Sequence, residues 1–216
     1  MPKRKLPAGV VAPLLIGIGV VVVLIIVLIA SGALKFSASV TRNPSPKSSR
    51  PETPSPIPTP TISLSQIYTH SSPAYSLNYP SDWALDKSNP AMVMVYSKDD
   101  NATSSDKAVA GVGVVSTPLG PLKGSKLSSL VDISKNSIKQ QFTGATFSSE
   151  SDVKIGTLDA HLYNLTFAQD GINFDAKLYL LVDEENFYMV ISVAKKDVWS
   201  KYETTLQTVV NSFKLL

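Results

Sequence analysis

The 216-residue sequence predicts an α+β domain, an antiparallel β-sheet packed between helices as an α/β/α sandwich, preceded by one N-terminal transmembrane helix. Three observations carry this reading. No charge occurs between Lys5 and Lys35. Seven of the 18 residues from Asn43 to Pro60 are proline. Beyond Tyr68, runs that alternate apolar and polar residues are joined by segments whose apolar residues recur every three or four positions. The chain divides accordingly into a short basic cytoplasmic tail (1–12), a transmembrane signal anchor (13–34), a Pro/Ser/Thr-rich disordered stalk (35–67) and a globular domain (68–216).

A helix from Pro13 to Leu34 spans about 33 Å, which matches a bilayer core of about 30 Å. Pro13 suits the first turn, where its missing N–H costs nothing. The run is apolar all round, so it has no polar face to turn to water. Ala30-Ser-Gly-Ala33 supplies the small residues of a cleavage site, but the apolar region is too long for a cleaved secretory signal. Lys3, Arg4 and Lys5 precede the helix, and the positive-inside bias puts the N-terminus in the cytoplasm. The rest of a single-pass cell-membrane protein is then extracytoplasmic.

The stalk holds one large aliphatic residue between Asn43 and Pro60, Ile57, and cannot bury enough surface to offset its ordering entropy. Alternating prolines favour polyproline II, and Ser37 to Ser63 could reach about 80 Å in that form. Such a tract could also be a ligand for an SH3-like module. Its place between anchor and domain favours a spacer.

In the domain, Tyr75, Leu77 and Tyr79 form one face of a strand that Pro80 ends. Met92–Tyr96 and Ala108–Val115 read as strands on either side of a polar loop, Lys98–Lys107. Leu158–Ala168 and Ile172–Val182 flank Gln169-Asp-Gly171, a hairpin signal, and Asp183–Asn186 turns the chain into Phe187–Val193. Leu127–Phe142 is helical in period, with Gly144 as its stop. Val198, Tyr202, Leu206, Val209 and Phe213 mark a second helix, with Asp197 as its expected N-cap.

Residues 1–60 carry a net +6 and residues 61–216 a net −3, without an arginine, so the domain is not a basic nucleic-acid-binding module. The absence of cysteine excludes disulfides, thiolate ligands and a thiol nucleophile. His70 and His161 are the only histidines, and no zinc spacing accompanies them. Ser192-Val-Ala-Lys195 matches S-x-x-K, but ends a strand and lacks the companion motifs of penicillin-binding enzymes. Asp99–Asp106 offers hard oxygens to Ca²⁺ without the central Gly and terminal Glu of an EF-hand, so a solvated loop is expected. Asp183-Glu-Glu185 reads as hairpin-tip charge kept for solubility. Asn101-Ala-Thr and Asn164-Leu-Thr fit the glycosylation pattern, the second inside a strand. Gly111-Val-Gly113 lacks the rest of a dinucleotide motif. No catalytic, cofactor-binding or metal residue is therefore assigned, and no enzyme is expected.

Tyr75-Ser-Leu-Asn-Tyr-Pro-Ser-Asp-Trp83 resembles the first strand and Pro-x-x-Trp turn of PsbP-like domains, and Tyr202…Leu206…Val209-Val-Asn-Ser-Phe213 resembles their last helix. That family includes an extrinsic photosystem II subunit, a Ran-binding import factor and bacterial envelope proteins. The resemblance covers residues 68–216 and implies a sheet between helices that binds macromolecules. It does not fix one activity, and no match to the metal-linked residues of the plant proteins is found. The expected function is a non-catalytic, membrane-anchored extracytoplasmic accessory domain that docks on another envelope protein. The alternative is a sensor or carrier that captures a small molecule or cation between sheet and helix.

Overall fold

A computed structural model describes residues 62–89, 92–97, 108–141, 144–169 and 171–216. The expected anchor, the stalk as far as residue 61 and the Asp99–Asp106 loop lie outside the described residues. Those residues include no helix long and apolar enough to cross a membrane.

The chain runs β1 (Gln66–Ser71), β2 (Ala74–Tyr79), β3 (Trp83–Asp86), β4 (Met92–Ser97), β5 (Ala110–Pro118), α1 (Leu127–Gln141), β6 (Thr146–Ile155), β7 (Leu158–Gln169), β8 (Ile172–Val182), β9 (Asn186–Lys195), α2 (Trp199–Asn211) and β10 (Lys214–Leu215). The described strands form two antiparallel sheets rather than one. Seven join in the order β3-β4-β5-β9-β8-β7-β6, and three in the order β1-β2-β10. Strands β6 to β9 are a continuous meander. α1 carries the chain from β5 to β6, at the far edge of the large sheet.

Period-two alternation puts each strand's side chains on opposite faces. In β9, Phe187, Met189, Ile191 and Val193 face α1, where Leu130 and Ile138 complete one core. Tyr188, Val190 and Ala194 face the other way, into a second core with Leu206, Val209 and Val210 of α2 and Tyr75, Leu77 and Tyr79 of β2. A strand buried on both faces reads as a continuous apolar run, as Phe187–Val193 does. The small sheet shares the α2 side, so one face of the large sheet is covered by α1 and the other by α2 together with β2. The sandwich is therefore asymmetric.

Trp83 is buried where the chain leaves the small sheet, with its ring edge-on to Tyr202 at 6.5 Å. Its backbone N–H donates to the Pro80 carbonyl at 3.1 Å and closes the Pro-x-x-Trp turn. Val198, not Asp197, occupies the N-cap of α2, and no side chain caps that end. The Asp183–Asn186 turn also differs from the solubility reading. One Asp183 oxygen accepts from the N–H groups of Glu185 and Asn186, and the other from the Tyr188 hydroxyl at 2.7 Å. Glu185 pairs with Lys123, and the Glu184 and Glu185 carbonyls accept from Gly124 and Leu119. This tip organises the turn and docks it on the chain that leads into α1.

Candidate functional site: a cleft between α1 and the β6–β7 hairpin

A cleft of about 400 Å³ opens where the first turns of α1 meet the β6–β7 hairpin, lined by Leu127, Ser128, Val131, Asp152, Val153, Asp159, Ala160 and His161. The hairpin register sets Asp152 opposite His161 and Lys154 opposite Asp159, so these four project from the same face. α1 contributes Leu127 and Val131 from successive turns.

His161 is the most enclosed polar group here. Its side chain is 13% exposed, and Nδ1 lies 2.7 Å from Oδ1 of Asp152, which is 90% exposed. A carboxylate only accepts, so Nδ1 carries the hydrogen of this bond. Nε2 is buried and has no hydrogen-bond partner among the described residues. The ring meets Tyr163 edge-on at 4.8 Å. The Tyr163 hydroxyl donates to the Val131 carbonyl at 3.1 Å, which ties hairpin to helix. Burial, with the charges of Glu150 and Asp132, pushes the Tyr163 phenol far up. Lys135 pairs with Glu150 and lies 5.7 Å above the Tyr163 ring. Its hydrogen bond holds the Glu150 carboxyl below the usual range.

This arrangement sets an imidazole fixed by Asp152, and carboxylates at the rim, beside a partly apolar recess. Among the described residues, no three His, Asp or Glu side chains stand close enough to hold a metal ion. A second recess of about 350 Å³ lies at the β6–β7 turn beside β10, lined by Ile155, Leu158, Phe213 and Leu215 among others.

The residues weighed from sequence are dispersed. His70 lies in β1, where Nδ1 meets the Tyr68 hydroxyl at 2.9 Å and Nε2 meets the Ser72 carbonyl at 3.0 Å, so it is satisfied locally and belongs to a different sheet from His161. Ser192 and Lys195 are both buried and, three apart on β9, point to opposite faces of the sheet. Asn164 is in β7 and donates to Ser149 Oγ at 2.9 Å. Gly111 and Gly113 lie in β5, pressed against β4 and β9. Asp152 and Asp159 were not singled out from sequence, because only the hairpin register brings them to His161.

No curated protein matches the sequence. Among solved structures, a protein from Bacteroides thetaiotaomicron superposes with a TM-score of 0.51 at 15% identity, over 71% of this chain. This chain spans about half, 49%, of that protein. Cyanobacterial PsbP (CyanoP) from Synechocystis gives 0.53 at 13% identity, over 73% of this chain and 97% of its own. LpqN from Mycobacterium tuberculosis, involved in cell envelope biogenesis, gives 0.53 at 12% identity, over 69% and 90%. These likenesses are of fold. A family model of PsbP-like proteins matches residues 16–215, nearly the whole chain, and this protein is a member of the PsbP-like family.

Proposed function

We propose that this is a membrane-anchored accessory protein whose PsbP-like domain is held outside the cytoplasm and docks, without chemistry of its own, on another envelope protein. The observation that carries this reading is the extent of the family match. It begins at Ile16, within the apolar run, and ends at Leu215, so that run and the domain fall under one family pattern. A charge-free run of bilayer length and a proline-rich spacer give the domain reach. The dispersal of His70, His161, Ser192 and Lys195 over different sheets and faces supports a non-catalytic role.

Protease added to intact cells is expected to cut the stalk and release a fragment containing the domain. Protection until the membrane is breached would reverse the topology. Purification of the full-length protein in mild detergent is expected to bring down one stoichiometric membrane or envelope protein. Substrate turnover that persists in the protein purified to homogeneity would refute the non-catalytic reading.

The α1–hairpin cleft favours a second reading, a small-molecule carrier, because His161, which lines it, keeps a buried ring nitrogen without a partner among the described residues, and such a group is costly left unmet. Binding to the folded state alone raises the melting temperature. A thermal-shift panel that includes Ca²⁺ and leaves wild type and His161→Phe equally unmoved would dismiss this reading.

A further inference from the structure

Among the described residues the two sheets have four edges, and three of them are guarded. β6 carries Glu150, Asp152 and Lys154 and a register shift between Phe147 and Ser149. β3 is four residues long and β10 two. Charges, bulges and shortness are the usual defences against strand addition. β1, Gln66-Ile-Tyr-Thr-His-Ser71, has none of them: six residues, no charge, no proline, and Ile67 67% exposed.

The hydrogen-bond pattern fixes which groups this edge presents. The Asn78 N–H donates to Ser212 Oγ and the Ala74 carbonyl accepts from the Leu216 N–H, so Ala74, Ser76 and Asn78 direct their backbone groups towards β10. Their partners across β1–β2 are Ser71, Thr69 and Ile67. In an antiparallel pair, residues opposite one another either exchange both bonds or neither. Ile67, Thr69 and Ser71 therefore turn their N–H and C=O groups outward, to the free edge, where no described residue pairs with them.

We infer that β1 pairs antiparallel with β1 of a second copy of this chain, in a register centred on Thr69. This register alone opposes all three outward residues to outward residues: Thr69 to Thr69 of the second copy, and Ile67 to Ser71 in both directions. It also sets Tyr68 beside His70 of the second copy on the ring-bearing face, where Tyr68, His70 and Tyr75 already associate at 4.9–6.2 Å. Thr–Thr and aromatic cross-strand pairs are favourable, and no like charges meet. Two three-stranded sheets become one of six. A single ribbon of this length buries less than the roughly 1,200 Å² of a standard interface, so the pairing is concentration-dependent.

The natural chain has no cysteine, which makes one introduced thiol a clean reporter. In this register the Thr69 Cα atoms of two copies lie about 5.5 Å apart, within the disulfide range. Two Ile67 or two Ser71 Cα atoms lie about 14 Å apart, outside it. The full-length protein in membranes, mildly oxidised, should give a dimer with Thr69→Cys and at most about a tenth as much with Ile67→Cys or Ser71→Cys. Thr69→Lys carried by both of two differently tagged chains sets two lysines opposite one another and should abolish their co-purification, while at a dilution where the wild type is monomeric the melting temperature should not change, because Thr69 bonds outward only. Equal cross-linking at all three positions, no cross-link at Thr69→Cys, or an adduct of another mass would overturn the inference.

Discussion

The Ser212 hydroxyl takes the place of a strand backbone opposite Asn78. Continuing the β2–β10 register past Ser76–Lys214 would pair Asn78 with Ser212, but Ser212 is still helical, at φ −82° and ψ −10°. Its Oγ accepts from the Asn78 N–H at 2.8 Å and lies 3.1 Å from the Asn78 carbonyl. One side chain thus closes the C-terminus of α2 and extends the ladder. Ser212→Ala strands the Asn78 N–H and is expected to cost about 1–3 kcal/mol in denaturant unfolding. A change within experimental error would show that water replaces the hydroxyl.

Gly111 is set by a close approach. A Cβ there would lie 2.9 Å from the Val95 carbonyl oxygen and 2.9 Å from Met94 Cε. Gly111→Ala should destabilise by about 1–3 kcal/mol, because backbone must move. Gly113→Ala, whose nearest neighbour is Ile191 Cγ2 at 3.2 Å, should cost less. Thermal melts of the two variants rank them, and the reverse order would disprove the β4–β5 contact.

Asp183 confers acid sensitivity. Burial pushes its carboxyl up, but hydrogen bonds from the Tyr188 hydroxyl and the N–H groups of Glu185 and Asn186 outweigh that and hold it below the usual value. A depressed folded pKa contributes stability above the unfolded value of about 4, and loses it as pH falls through the folded value. Asp183→Asn should be less stable than wild type at neutral pH, with the gap narrowing in acid. A gap of constant size would place the effect in packing instead.

Alkali acts through the tyrosines. Burial raises the phenols of Tyr75, Tyr163, Tyr179 and Tyr188, the last helped by the hydrogen bond and charge of Asp183. The unfolded chain releases these protons near pH 10 and the folded chain retains them, so stability is full below that pH and falls above it. Ultraviolet titration should show these tyrosines ionising only with unfolding. Ionisation of all tyrosines near pH 10 in the folded protein would contradict their burial.

The meander β7–β8–β9 and both helices were legible because their apolar periods are long and unbroken. β6 was not, since its ten residues include only Phe147, Val153 and Ile155 as large aliphatic or aromatic side chains and most of the strand faces water. β1 hides for the same reason, and with it the division into two sheets. The cleft was beyond reach: Asp152 and His161 are nine residues apart, and only the β6–β7 register makes them neighbours. Asp183 was visible as a charge, but the donors that surround it, from Glu185, Asn186 and Tyr188, come together only in the folded turn.

β1 and β10 both run antiparallel to β2, so they run parallel to one another, and the chain enters beside Tyr79 and leaves beside Ala74. A partner pulling on the C-terminal end against a fixed N-terminal end would load these ladders along their length, in shear. All the rungs then bear the tension together, whereas a hairpin pulled from adjacent ends unzips one rung at a time. Under such a pull the smaller sheet, not the larger one, would take the load first.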